Sequence, residues 1–212
     1  MRKIGWIALA AVCAVIVGGC GEKERYTYTR TDRIAYPWSQ AMMIYAPGME
    51  LNTCLAELIA EVEICSDRQT DRYTLSGEVP VTVSWYEARI RDVWYGDAVD
   101  DEIQVWFMGD DSQLHQNDRV ILYATYGGEE NYYVPVDGEA SVFILNPPDD
   151  TVFPYSMISD YENLDGCSPE KLREETEAIL AQVAAGNGPV ANGYIGGAAE
   201  DYIEKNVVAA SE

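Results

Sequence analysis

The stretch Val79 to Tyr95, VPVTVSWYEARIRDVWY, decides the fold. It is dense in β-branched and aromatic residues, the composition that fits a pleated, half-buried surface. Tyr86, Ala88 and Ile90 share one phase of a two-residue alternation, whereas Val93 and Tyr95 fall in the opposite phase. An apolar set that changes phase in mid-strand requires an extra residue. A β-bulge is therefore expected near Arg91-Asp92, or a bend where a strand turns a barrel corner. Gly96-Asp97 ends the run.

Further β segments follow. In DEIQVWFMG the residues Ile103, Val105 and Phe107 alternate, and after the polar loop GDDSQLHQND comes the mostly apolar RVILYATY, Arg119 to Tyr126. GGEEN turns that strand into YYVPV, where Pro135 suggests an edge. Asp137-Gly138 is a type I′ hairpin signal leading into EASVFIL. Upstream, Asn52 is a candidate N-cap for a short helix over Thr53 to Ala60, with Leu55, Leu58 and Ile59 on one side. EVEIC, Glu61 to Cys65, can enter a first strand, and SDRQTDRYTLSGE reads as a polar loop. Downstream, NPPDDTVFPYS is a Pro-rich connection. Ser168 caps a helix with Pro169 at its first position, a stripe of Leu172, Thr176, Ile179 and Val183, and Gly186 at its end. The sequence thus predicts a mainly β chain. Its architecture is a small antiparallel Greek-key barrel with a short N-terminal helix and a C-terminal helix, closed to remove exposed edges.

The run TVSWYEARIRDVWYGD, DEIQVWFMG, NDRVILYATY and YYVPVDGEASVFIL is similar to OB-like barrel domains of small bacterial surface lipoproteins. It is more distantly similar to the netrin/tissue-inhibitor type of OB barrel. The resemblance covers about Leu51 to Leu145. It implies an OB-like fold and transfers no binding residue. The amino-terminal Cys with which netrin-type inhibitors wedge their targets has no counterpart beside this barrel.

The first residues concern location. Arg2 and Lys3 precede an uncharged apolar run, Ile4 to Val17, shorter than the roughly 20 residues a membrane-spanning helix needs. Val17-Gly18-Gly19-Cys20 then resembles the lipobox of bacterial lipoproteins. That resemblance implies a signal peptide over residues 1–19, cleavage between Gly19 and Cys20, and a diacylglycerol (palmitate-type) anchor on the Cys20 sulfur, with further acylation giving a firm hold. The protein is then expected on a bacterial cell membrane, facing outside the cytoplasm. Residues 20–45 read as a lipidated tether, 46–166 as the acidic barrel, 167–186 as the C-terminal helix and 187–212 as a flexible tail. The tether carries Lys23, Arg25, Arg30 and Arg33 beside the anchor. Such residues can lie along anionic lipid for on the order of 1 kcal/mol each; a plain spacer is the alternative.

The net charge of the 212-residue chain is −22, which repels nucleic-acid phosphates and sets that partner class aside. Export permits disulfides. With Cys13 in the signal and Cys20 lipidated, Cys54, Cys65 and Cys167 remain. A Cys54–Cys65 bridge could staple the short helix to the sheet, with Cys65–Cys167 as its rival. No nucleophile elbow, phosphate loop, Cys-x-x-Cys or His-rich metal motif occurs, and the single histidine, His115, lies in a polar loop. Loop carboxylates Asp97, Asp100, Asp101, Asp110 and Asp111 are the candidate calcium ligands, and no other cofactor is expected. With 15 Tyr and 5 Trp, the chain has aromatics enough for a binding face, for which Trp94, Trp106, Tyr126 and Tyr132 are the candidates. Trp94, opposite in phase to Val93 and Tyr95, is the first choice. The leading expectation is a non-enzymatic, lipid-anchored barrel binding an envelope or extracellular protein, peptide or glycan. The alternatives are an envelope enzyme using loop carboxylates and a calcium-dependent structural module.

Overall fold

The computed structural model describes residues 24–34, 48–75, 79–109, 112–128, 131–157 and 161–185. Strands β1 (Leu58–Ile64), β2 (Gln69–Leu75), β3 (Val79–Tyr95), β4 (Glu102–Met108), β5 (Arg119–Tyr126), β6 (Tyr132–Pro135), β7 (Val142–Asn146) and β8 (Thr151–Pro154) form one sheet. Helix α1 spans Met49–Leu55 and helix α2 spans Pro169–Ala184. The ring β1-β3-β4-β6-β5 closes on itself through β1–β5 pairing, so the core of the fold is a five-stranded OB-like barrel. Every seam is antiparallel except β4–β6, which is parallel.

β3, 17 residues long, serves three neighbours. Its first part pairs with β2, its middle with β4 and its last part with β1. The expected bulge lies where the register to β1 slips between the Glu61–Asp92 and Val62–Ile90 pairs, leaving Arg91 over. A second slip lies between Ala60–Val93 and Ile59–Tyr95, leaving Trp94 over. Gly96, at φ +81°, lets the chain leave β3 directly over the Glu57 carbonyl.

Two cores explain why β1 and β5 are almost wholly apolar. Leu58, Ala60 and Val62 of β1 and Val120, Leu122 and Ala124 of β5 point into the barrel, with Tyr86 and Phe107. The alternate residues Ile59, Ile121 and Tyr123 face outward into a second core with Phe143, Tyr161 and Leu172. α2 covers that core through the expected Ser168 cap and the buried Leu172 and Thr176, whose Oγ1 lies 2.7 Å from the Tyr123 hydroxyl.

Several local expectations are corrected. Asn52 does not cap a helix; it is buried inside α1, its amide donating to the Ala140 carbonyl (3.1 Å) and the Tyr161 hydroxyl (2.7 Å). Leu58 and Ile59 belong to a strand, because a short apolar run buried on both faces carries no helix-or-strand period. The supposed loop SDRQTDRYTLSGE contains β2, an edge strand set by register to β3 rather than by burial. Asp137-Gly138 makes a jog, not a hairpin. After a 3-10 turn over Gly138–Ser141, β7 rejoins the same edge of β5 that β6 has just left. β6 is accordingly no edge, and Pro135 sits beyond its last pair with β4. The Pro-rich connection contains β8, which pairs with β7.

Residues 24–34, read from sequence as tether, lie on the barrel. The Tyr28 ring is 4% exposed within the barrel core. Its backbone N–H and C=O are clamped by the side-chain amide of Asn146, at 2.8 and 2.9 Å. Ile34 bridges in parallel to Ser156, at the end of β8.

Candidate functional site

The outward phase of β3 presents Trp85, Glu87 and Arg89; that of β4 presents Glu102, Gln104 and Trp106. Antiparallel register places Trp85 opposite Trp106, Glu87 opposite Gln104 and Arg89 opposite Glu102. Cross-strand rings at such positions are within stacking reach. The Trp85 and Trp106 rings lie 6.4 Å apart at 21°, and the Tyr132 ring of β6 stacks on Trp106 at 4.7 Å and 29°. Three rings from three adjacent strands therefore form one continuous ladder on the barrel exterior, each half-buried. The indole N–H of Trp106 donates to Gln104 Oε1 at 2.9 Å, and that of Trp85 points to Asp71 of β2 at 3.4 Å. Gly127 supports the ladder: a Cβ there would lie 1.8 Å from Tyr132 Cε2, so only a glycine lets that ring lie flat.

Gln104 joins the ladder to a cleft of about 380 Å³ lined by Cys65, Glu87, Arg89, Glu102, Gln104 and Asn131. Arg89 pairs with Glu102 at 3.3 Å, and the Asn131 amide donates to the Glu102 carbonyl at 2.8 Å. Among the described residues, Asn131 Oδ1 is buried without a hydrogen-bond partner. A buried acceptor left in that state costs free energy that an incoming donor would recover. Chemically, the surface offers apolar ring edges and two carboxylates, with the unused amide oxygen buried beside them, which suits a ligand rich in N–H or O–H donors.

The structure brings together only Trp106 and Tyr132 of the four aromatic candidates. Trp94 is half-buried against the second core, with the Arg173 guanidinium of α2 5.4 Å from its ring. Its simple alternation phase fails because Trp94 is the residue left over at the second bulge. Tyr126 is 39% exposed at the end of β5, beside Tyr133 rather than in the ladder. Trp85 is among the strand aromatics of the sequence but not among the four candidates. Its signal was present, since Trp85 and Trp106 both stand out of phase with the core sets Tyr86/Ala88 and Val105/Phe107.

Among the calcium candidates, Asp97, Asp100 and Asp101 are exposed in the β3–β4 connection, where Asp100 Oδ1 accepts the Asp101 N–H at 2.7 Å. Asp110 and Asp111 lie outside the described residues. Among the described residues, no group of three or more His, Cys, Asp or Glu side chains is placed to hold a metal ion. Cys54, Cys65 and Cys167 are free thiols, so no bridge ties α1 to the sheet. Burial, and secondarily Glu50, pushes the Cys54 thiol up to about 11, which keeps it protonated and unreactive at neutral pH. Gly19 and Cys20 also lie outside the described residues.

A second polar cluster sits under the N-terminal segment. The Tyr28 hydroxyl donates to Asp118, whose same oxygen accepts the His115 backbone N–H at 2.7 Å. Burial raises the Asp118 carboxyl above its ordinary range, against the opposing pull of those hydrogen bonds. Burial also raises the Tyr28 phenol, and the Asp118 charge adds to the effect. His115 itself is exposed, as expected of a polar loop, with its ring 4.2 Å from that of Tyr26.

No protein-family model and no curated protein matches the chain. Among the described residues, no helix is long and apolar enough to cross a membrane.

Proposed function

We propose that the protein is a bacterial cell-envelope lipoprotein, anchored through Cys20 outside the cytoplasm, whose acidic barrel binds a protein, peptide or glycan at the Trp85–Trp106–Tyr132 face. The ring ladder abutting a cleft with an unused buried acceptor is the observation that supports the reading. Tyr and Trp give large apolar contact area with polar tips, and the strand face of OB barrels is a platform for such ligands. Within that class, the acceptors Glu87, Glu102 and Asn131 favour a donor-rich chain, whether a glycan with its hydroxyls or a peptide with lysine and arginine.

The test probes glycan and peptide arrays with the soluble Cys20→Ser chain lacking the signal, alongside the same chain carrying Trp106→Ala. Hits lost on Trp106→Ala while the far-UV circular dichroism is kept support the reading. Hits that survive Trp106→Ala, or an array with none, count against it. The anchor has its own test: labelled palmitate should enter the native protein and be absent from Cys20→Ala.

A further inference from the structure

The segment following the proposed anchor is part of the folded domain. Arg25 pairs with Asp150 and donates to the Leu145 carbonyl at 3.3 Å, next to the β7–β8 turn. Tyr28 is buried, hydrogen-bonded to Asp118 and clamped by Asn146. Arg33 reaches Asp165 at 2.6 Å and lies over the Phe153 ring at 4.6 Å. Ile34 exchanges backbone hydrogen bonds with Tyr155 and Met157, both at 3.0 Å. A segment held by this many partners is not a spacer. Only Gly21, Glu22 and Lys23 stand between Cys20 and the first described residue, Glu24. Four chain steps reach at most about 14 Å even when fully extended.

We infer that the barrel has no free tether, and that its Arg25/Arg91/Arg119 pole is held directly against the surface of the lipid bilayer. The inference rests on the Cys20 anchor proposed above. Charge agrees with the placement. The cleft at this pole balances Arg25, Arg91 and Arg119 against Glu24, Glu63 and Asp150, whereas the chain as a whole has 36 acidic residues against 14 basic ones. The arginines are tied up locally, Arg91 with Glu63 and Arg119 with Glu61 and Asp150. With Glu61 counted, the pole holds three arginines against four carboxylates, far nearer balance than the chain as a whole, and it can approach an anionic bilayer with less repulsion than the remaining surface. The covalent reach supplies the hold, and the near balance of charge removes the objection.

The experiment uses the full lipidated protein, purified from membranes and reconstituted into phosphatidylcholine vesicles containing a dansyl-headgroup lipid. Energy transfer from the protein tryptophans to the headgroups reads the distance of the barrel from the surface. A 20-residue Gly/Ser spacer inserted between Lys23 and Glu24 has a root-mean-square length of about 25 Å. The expected result is a fall in transfer of twofold or more on insertion. The Tyr28→Ala/Asn146→Ala double variant should show a similar fall with its far-UV circular dichroism retained, because undocking frees the segment. Flotation with the vesicles is read in parallel. A protein that floats but transfers equally with and without the spacer overturns this inference and leaves the anchor standing. A native protein that does not float overturns both.

Discussion

Gly127→Ala is a sharp test of the ring ladder. The added methyl would sit 1.8 Å from Tyr132 Cε2, 2.3 Å from Cδ2 and 2.4 Å from Cζ. Carbon atoms in contact need about 3.5–4.0 Å, so the ring must move by about 2 Å. Gly127 is not held at positive φ, so alanine strains no backbone there and the ring is what yields. A 2 Å shift breaks the 4.7 Å stack on Trp106. Such a stack is worth about 0.5–1.5 kcal/mol beyond its buried area. The lower entropy of the unfolded alanine chain offsets about 0.4–1 kcal/mol of that loss. Global stability should therefore change by no more than about 1 kcal/mol, while the surroundings of Trp106 change strongly. Near-UV circular dichroism should lose the contribution of the stacked rings, with the urea midpoint close to native. Placed on a Tyr132→Ala background, Gly127→Ala should add nothing to the spectrum, because the two changes share one ring. A native near-UV spectrum in Gly127→Ala, or a loss of about 3 kcal/mol or more, refutes the reasoning.

Gly96→Ala should be far more damaging: its φ is +81° and the added methyl would lie 1.9 Å from the Glu57 carbonyl oxygen, backbone that cannot swing aside. A loss of about 3 kcal/mol or more in chemical denaturation is expected. Tyr28→Phe leaves Asp118 without its hydroxyl donor and should cost about 1–3 kcal/mol by the same measurement. Arg173→Ala removes the cation from the Trp94 ring and should shift tryptophan emission to the red, with a stability loss of about 0.5–1 kcal/mol. Asp118→Asn should flatten part of the pH dependence. The folded carboxyl binds its proton more tightly than the unfolded one, so its stabilising contribution is present below the ordinary value of 3.8 and lost as pH rises through the raised value. Titrating urea stability upward from pH 3, the native protein should lose stability relative to Asp118→Asn across that window; a constant difference would contradict the assignment.

How much of this was legible in the sequence differs by kind of signal. The alternation of Ile103, Val105 and Phe107 and the phase change within β3 are properties of the chain alone, and both describe the barrel wall. The Ser168-Pro169 start of α2 was legible for the same reason, because a cap is a local device. Register was not legible. Trp85 opposite Trp106 follows from a pairing between distant segments, and so does the polar strand β2, which has no buried face to reveal it. Bulges defeat phase counting. One extra residue at Arg91 was readable, but the second at Trp94 sends that ring beneath Arg173 instead of toward solvent. Asn52 and Asn146 illustrate a third gap. Both are polar residues typical of caps and turns, and both act through long-range hydrogen bonds that no local pattern encodes.

The basic residues after Cys20 show how that third gap alters the functional reading. As a sequence, GEKERYTYTRTDR offers arginines free to lie along anionic lipid. In the folded protein Arg25 is spent on Asp150, which Arg119 shares, and Arg33 on Asp165. Arg33 is also largely buried, its side chain 14% exposed. An arginine neutralised at close range by a carboxylate contributes little to long-range attraction, since the pair's field decays as a dipole within about one Debye length. Arg30, at 86% exposed and 3.9 Å from the carboxylate of Asp165, is the one of the three still open to solvent. The segment's positive charge therefore serves to fasten it to an acidic barrel. Its tyrosines reinforce this, because burying Tyr28 in the core recovers apolar area that a solvated spacer would leave in water. Under the proposed Cys20 anchor, attachment to the bilayer depends on the lipid and the short covalent reach to it, and raising the salt concentration should leave the protein on vesicles.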